Sequence, residues 1–185
     1  MVKIKYRTEL PKLLELYDLT GHAVEIGVAE GRNSQMLISS PAITKLYMID
    51  TWAQLNQDGD GSYDQEWHDN NWKEAHERVE PWKEKAVFLR GLSKDMIKKI
   101  PDDSLVLAYI DADHSFEGCV MDLLNIYHKV KTGGIISGHD FANLHYEVNK
   151  AVKIFMISKG YSLDDIHTTD EDGDESMVSF WFIKK

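Results

Sequence analysis

Hydrophobic and polar positions follow two rhythms along this chain. In residues 8–19, Leu10, Leu13, Leu14 and Tyr17 recur every three or four positions, which predicts a first helix with one buried face. Short apolar runs then alternate with helical patterns. "HAVEIGV" (22–28), "KLYMIDTW" (45–52), "KAVFLRG" (85–91), "SLVLAYIDADHS" (104–115) and "GGIISGHDF" (133–141) read as strands. "RNSQMLISS" (32–40), "SKDMIKKI" (93–100), "FEGCVMDLLNIYHKV" (116–130) and "EVNKAVKIFMISKG" (147–160) read as helices, and Pro41 and Pro101 stop two of them. "YSLDDIHT" (161–168) and "SMVSFWFIKK" (176–185) are further strands, with no room for a helix between them.

Strands alternating with amphipathic helices imply a parallel sheet covered on both faces. The terminal pair should form a hairpin, which inserts one antiparallel strand. The expectation is an α/β fold with a seven-stranded, mostly parallel sheet. A polar, tryptophan-bearing stretch over 53–82 breaks the alternation and reads as an insertion in one domain spanning 1–185. Trp52, Trp67, Trp72 and Trp82 suit either a lid or the packed inner side of that insertion. Cys119, beside Val120 and Leu123, reads as core, and Phe180, Trp181 and Phe182 as buried sheet.

Composition narrows the function. The 185 residues are 43% hydrophobic and 28% charged, with a formal net charge of −10. That balance opposes a broad nucleic-acid surface, which would need basic residues to neutralise phosphates. No apolar run approaches the roughly 18 residues of a membrane span, and "MVKIKYRTELPKLL" has no continuous apolar core like that of a secretory signal. One cysteine rules out an internal disulfide and a cysteine zinc site, so a reducing cytoplasm fits best. Asp58, Asp60, Ser62 and Asp64 alternate like calcium-loop ligands. Tyr63 stands where the loop needs glycine, and no glutamate falls at the twelfth position, which argues against calcium.

In open α/β sheets ligands bind outside the carboxyl ends of the strands, so strand-end residues carry the chemistry. Here they are Glu25 with Gly27 and Gly31, then Asp50, then Gly91 and Ser93, then Asp111 and Asp113, and last His139 and Asp140. His145 and Tyr146, just past the fifth strand, are placed to face an acceptor. Solvated strand ends explain one or two such groups, but five poorly. An acid ending the second strand suits a ribose diol. A nicotinamide dinucleotide would use such an acid too, but its glycine loop is G-x-G-x-x-G. Val28, Ala29 and Glu30 separate Gly27 from Gly31 here, so a ligand without a pyrophosphate fits better.

Taken in order, "VEIGVAEGRNS", "YMIDTW", "RGLSKDMI", "YIDADHSFEG" and "GGIISGHDF" resemble a class I S-adenosylmethionine-dependent methyltransferase. More narrowly the chain is similar to small-molecule O-methyltransferases of the catechol and macrocin types. The resemblance implies a Rossmann-like sheet, S-adenosylmethionine as cofactor, a small-molecule acceptor such as a sugar, and a homodimer as the assembly to look for. It places Glu25, Gly27 and Gly31 along the methionine and ribose part of the cofactor. Asn33 replaces the serine or threonine that touches the carboxylate in relatives. Asp50 would hold the ribose hydroxyls, Ser93 would lie against the adenine, and Asp111 would lie beneath the sulfonium. In metal-dependent relatives the residue at Asp111 ligates a divalent ion and paired aspartates end the fifth strand; here His139 precedes Asp140. Two carboxylates suit Mg²⁺, and an added imidazole shifts preference toward Mn²⁺, Fe²⁺ or Zn²⁺. Asp113 or His114 could then take the acceptor's proton. The competing classes are a nicotinamide-dependent oxidoreductase and a catalytically silent domain that binds the cofactor.

Overall fold

The computed structural model describes residues 3–55, 62–142, 146–170 and 178–185. Asp58, Asp60 and His145 lie outside the described residues. A 3-10 helix, Arg7–Glu9, leads into α1 (Leu10–Leu16). Then come β1 (Gly21–Ile26), α2 (Arg32–Ser39), β2 (Ile43–Asp50) and α3 (Gln65–Val79). β3 (Ala86–Arg90), α4 (Ser93–Met96), β4 (Leu105–Ile110) and α5 (Phe116–Tyr127) follow. β5 (Val130–Gly138), α6 (Tyr146–Ser158), β6 (His167–Thr168) and β7 (Phe180–Ile183) complete the order.

One seven-stranded sheet runs β3-β2-β1-β4-β5-β7-β6. β1 to β5 pair in parallel, and β7 is antiparallel to both neighbours. This is the mostly parallel sheet with one antiparallel strand that the pattern predicts. β4, "LVLAYI", is buried at every position, as a parallel strand covered on both faces should be. Its side chains alternate between two cores. Leu107 and Tyr109 join Leu10, Leu13, Leu14 and Trp181 on one face. Ala108 and Ile110 join Leu123, Ile126, Phe155 and Phe182 on the other. Cys119 is buried in this second core, and burial pushes its thiol up to about 12.

Four local expectations need correction. Residues 53–82 are more than a polar interruption, because they contain the fifteen-residue helix α3. Its start is fixed by Asp64, whose carboxylate accepts the Trp67 N–H. α1 stops at Leu16, so Tyr17 becomes its C-cap and stays 40% exposed instead of joining the apolar face. β1 ends at Ile26 rather than Val28, because Gly27 turns the chain at φ 84. The strand expected over 161–168 shrinks to His167–Thr168, because Ser162 caps a 3-10 turn at Leu163–Asp165.

Candidate active site

The strand order reverses between β1 and β4, and a cleft forms at such a switch. Gly27 and Asp111 meet there backbone to backbone. The Asp111 N–H donates to the Ile26 carbonyl at 2.8 Å, and the Gly27 N–H to the Ile49 carbonyl at 2.9 Å. A Cβ on Gly27 would sit 1.7 Å from the Asp111 carbonyl oxygen, so only glycine fits. Gly31, at φ 80, is the N-cap of α2. A Cβ there would come 3.0 Å from the Cα of Ala75 on α3. Gly31 thus allows α3 to pack closely, a role no local motif announces.

Asp50 ends β2 and braces the glycine loop. Its Oδ2 accepts from the Val28 and Ala29 N–H groups, both at 2.9 Å, and its Oδ1 from the Trp52 N–H at 2.8 Å. Trp52 is fully buried and its Nε1 donates to the Ala29 carbonyl at 2.9 Å, so it pins the two loops together. Ala29, Trp52 and Asp140 all have positive φ. Non-glycine residues held there store strain, and all three stand just beyond strand ends.

Glu25 is 1% exposed. Asn33 Nδ2 donates to its Oε1 at 2.9 Å, and Ser34 Oγ donates to its Oε2. Burial pushes its carboxyl up to about 8, and the charges of Asp111 and Asp50 add to the rise. Glu25 therefore lies beneath the loop, tied to the first turn of α2. Asn33, expected at a cofactor carboxylate, has its amide donor engaged by Glu25.

A second group gathers at the β4 and β5 ends. His114 Nε2 lies 2.9 Å from Asp140 Oδ2 and 3.4 Å from Asp111 Oδ1. His139 Nδ1 lies 3.2 Å from Asp140 Oδ1 and 4.0 Å from Asp111 Oδ2. Hydrogen bonds to Asp111 and Asp140 hold the His114 imidazole up at about 10. Burial works against the His139 imidazolium, but the same two carboxylates outweigh it and raise that pKa. Burial likewise opposes ionisation of Asp140, yet the two imidazoles keep its carboxyl well below the usual range. One ligand atom each from Asp111, His139 and Asp140 lie within 4.8 Å of one another. Two hard oxygens and one imidazole at that spacing form a donor set suited to a divalent cation.

Two expected residues turn elsewhere. Asp113 Oδ1 accepts the Ser115 N–H at 2.9 Å at the start of α5, away from the Asp111 group. Ser93 Oγ donates to Asp122 Oδ1 at 2.6 Å. Three residues that no motif marks act on these groups. Asp122, the partner of Ser93, lies on the buried side of the amphipathic helix α5. Arg7 acts on both Tyr109 and His139 from the N-terminal 3-10 helix. Tyr109 is fully buried in the core face next to Asp111. No spacing rule links such residues; the fold alone brings them near.

A family model described as "Methyltransferase domain" matches residues 24–141. No curated protein sequence matches the chain. Among solved structures, the O-methyltransferase NovP superposes with a TM-score of 0.70 at 20% identity, covering 97% of this chain and 78% of its own. The O-methyltransferase from Bacillus cereus in complex with SAH gives 0.66 at 13% identity, covering 96% and 80%. An rRNA methylase from Streptococcus thermophilus gives 0.65 at 11% identity, covering 99% of each chain. At these identities the likeness shows the fold. Among the described residues, no helix is long and apolar enough to cross a membrane.

Proposed function

As a member of the methyltransferase-domain family the chain is an S-adenosylmethionine-dependent methyltransferase, and on that premise we propose that it methylates an oxygen of a small polar acceptor. A sugar is the leading candidate, and a divalent cation assists. One observation carries this. The braced glycine loop and the Asp111, His114, His139 and Asp140 group face one another across the switch between β1 and β4.

Asp50 Oδ1 accepts one backbone hydrogen bond and has capacity for a ribose hydroxyl. Gly27 lets the backbone approach the cofactor without a side chain between them. Asp111, His139 and Asp140 would hold the cation. When bound, a divalent cation lowers the pKa of an acceptor hydroxyl. His114 Nε2, between two carboxylates, is placed to hold or move a proton at that oxygen. Asp113 is the poorer candidate because it is engaged at α5. α3, packed on Gly31 and Trp52, would cover the cofactor.

The likeness to an rRNA methylase over its whole length favours a second substrate class. With 31 acidic against 21 basic residues, the chain is poorly suited to a phosphate backbone. Isothermal titration tests the main proposal. S-adenosylhomocysteine should bind, and Asp50→Ala should weaken it roughly 10-fold or more, the scale of a lost charge-assisted hydrogen bond. Binding of NADH in place of S-adenosylhomocysteine would overturn it.

A further inference from the structure

The Asp111 group has the N-terminal segment for a neighbour. Tyr109, Ser137 and Trp181 form one in-register row, and Asp111, His139 and Ser179 stand two positions beyond it. The Thr169 N–H donates to the Ser179 carbonyl at 2.9 Å, and the Ser179 N–H to Thr169 Oγ1 at 3.0 Å. The next N–H, that of Asp170, donates to the Lys5 carbonyl at 2.9 Å. Ile4 is 5% exposed and seats the same segment in the core that holds Tyr109 and Trp181. "KIKYR" (3–7) is thereby fastened at the end of the sheet where the Asp111 group stands.

That segment brings charge of one sign. It holds Lys3, Lys5 and Arg7 and no acid, in a chain of 31 acidic and 21 basic residues. Lys3 and Lys5 are exposed, whereas Arg7 is half-buried. Its guanidinium acts on the fully buried Tyr109 hydroxyl, and its charge reaches His139. The carboxylates nearby already have imidazoles beside them. His114 lies 2.9 Å from Asp140 and 3.4 Å from Asp111, and His139 lies 3.2 Å from Asp140. Balancing those acids therefore does not call for Arg7. A guanidinium presents a planar fork of donors that matches a carboxylate or a phosphate. The approach is open, because the Asp111 side chain is 26% exposed and that of His114 47%. A small acceptor whose hydroxyl lies at Asp111 can carry an anionic group toward Arg7.

We propose that the acceptor is an anion, with its reacting hydroxyl at the Asp111 group and its carboxylate or phosphate held by Arg7. The assignment rests on the methyl-transfer reading above. It is tested by isothermal titration of the full chain, saturated with S-adenosylhomocysteine, using small hydroxy compounds paired by charge. Glucose is compared with glucuronate and with glucose 6-phosphate, and catechol with protocatechuate. In at least one pair the anionic member should bind roughly 10-fold or more tightly than the neutral one, the scale of a charge-assisted hydrogen bond. A gain confined to the phosphate or to the carboxylates identifies the anion. Arg7→Gln should bring that pair to within about threefold. Arg7→Lys keeps the charge without the fork, so it should lose part of the preference while the neutral compound binds as before. It carries the test if Arg7→Gln fails to fold. An unchanged ratio in a folded Arg7 variant, no anionic preference in any pair, or no binding of any anionic compound would overturn the proposal while leaving the cofactor reading intact. If S-adenosylhomocysteine itself failed to bind, the methyl-transfer reading would fall, and this assignment with it.

Discussion

A carboxyl group sealed inside a sheet, as Glu25 is, should make stability depend on pH. Its folded pKa of about 8 lies above the ordinary 4.5. Between those values the folded chain keeps a proton that the unfolded chain releases. Stability should therefore fall as pH rises through that window, by up to about 1.4 kcal/mol per pH unit. Glu25→Gln keeps the shape and one acceptor oxygen, leaves the Ser34 hydroxyl to accept from its amide, and cannot ionise, so its urea midpoint should lose this slope between pH 5 and pH 8, a window set by those same limits. Parallel profiles for the two proteins would show that Glu25 does not titrate in the fold. Sequence marks Glu25 as a strand-end acid, but its depth and its bonds to Asn33 and Ser34 depend on how α2 lies on the sheet. Gly31 makes the same point. It is visible as a loop glycine, yet the contact that excludes a side chain comes from Ala75, far along the chain. Gly31→Ala should destabilise by more than about 1 kcal/mol, because φ is positive and Ala75 blocks the Cβ; an unaltered denaturation midpoint would refute that.

At the scale of elements, strands were far more legible than α3. β4 is a continuous apolar run, and β2 and β3 hold apolar runs of four over 46–49 and 86–89, as a covered parallel sheet requires. The inner stripe of α3 holds His68, Asn71, Ala75 and Val79, correctly spaced for a helix but half polar. Its anchors are aromatic instead. Trp72 meets Trp52 edge to face at 4.6 Å and Phe88 at 5.3 Å, and His76 stacks on Phe88 at 3.6 Å. A hydrophobicity pattern does not register such a packing scheme. If α3 covers bound cofactor, amide exchange over Gln65–Val79 should slow when S-adenosylhomocysteine saturates the protein, and α6 should serve as an unaffected control. Equal exchange in α3 with and without ligand would make it a fixed structural helix.

At the scale of the whole molecule, sheet topology gathers acids that the chain scatters from residue 25 to residue 140, on a protein of net charge −10. That convergence was legible, because parallel strands all end at one edge. Which acids share a face was not, since it depends on the turn after each strand. Asp140, at φ 59, swings back to Asp111 and His114, while Asp113 follows α5 away. The result is a compact group in which two carboxylates are balanced by two imidazoles. A divalent cation held by Asp111, His139 and Asp140 would add positive charge where the chain has concentrated its acids, and binding to the folded state alone must raise stability. At 100 times its dissociation constant a ligand contributes about 2.7 kcal/mol, which for a chain of this size raises the melting temperature by roughly 5–10 °C. Melting should therefore shift upward with Mn²⁺ or Mg²⁺ and return on addition of chelator. Asp140→Asn or Asp111→Asn should abolish the shift while leaving S-adenosylhomocysteine affinity within about threefold, since Asp50, proposed above to hold the ribose, is untouched. Melting indifferent to Mg²⁺, Mn²⁺ and Zn²⁺ alike would remove the cation, and the two carboxylates would then serve only to orient His114.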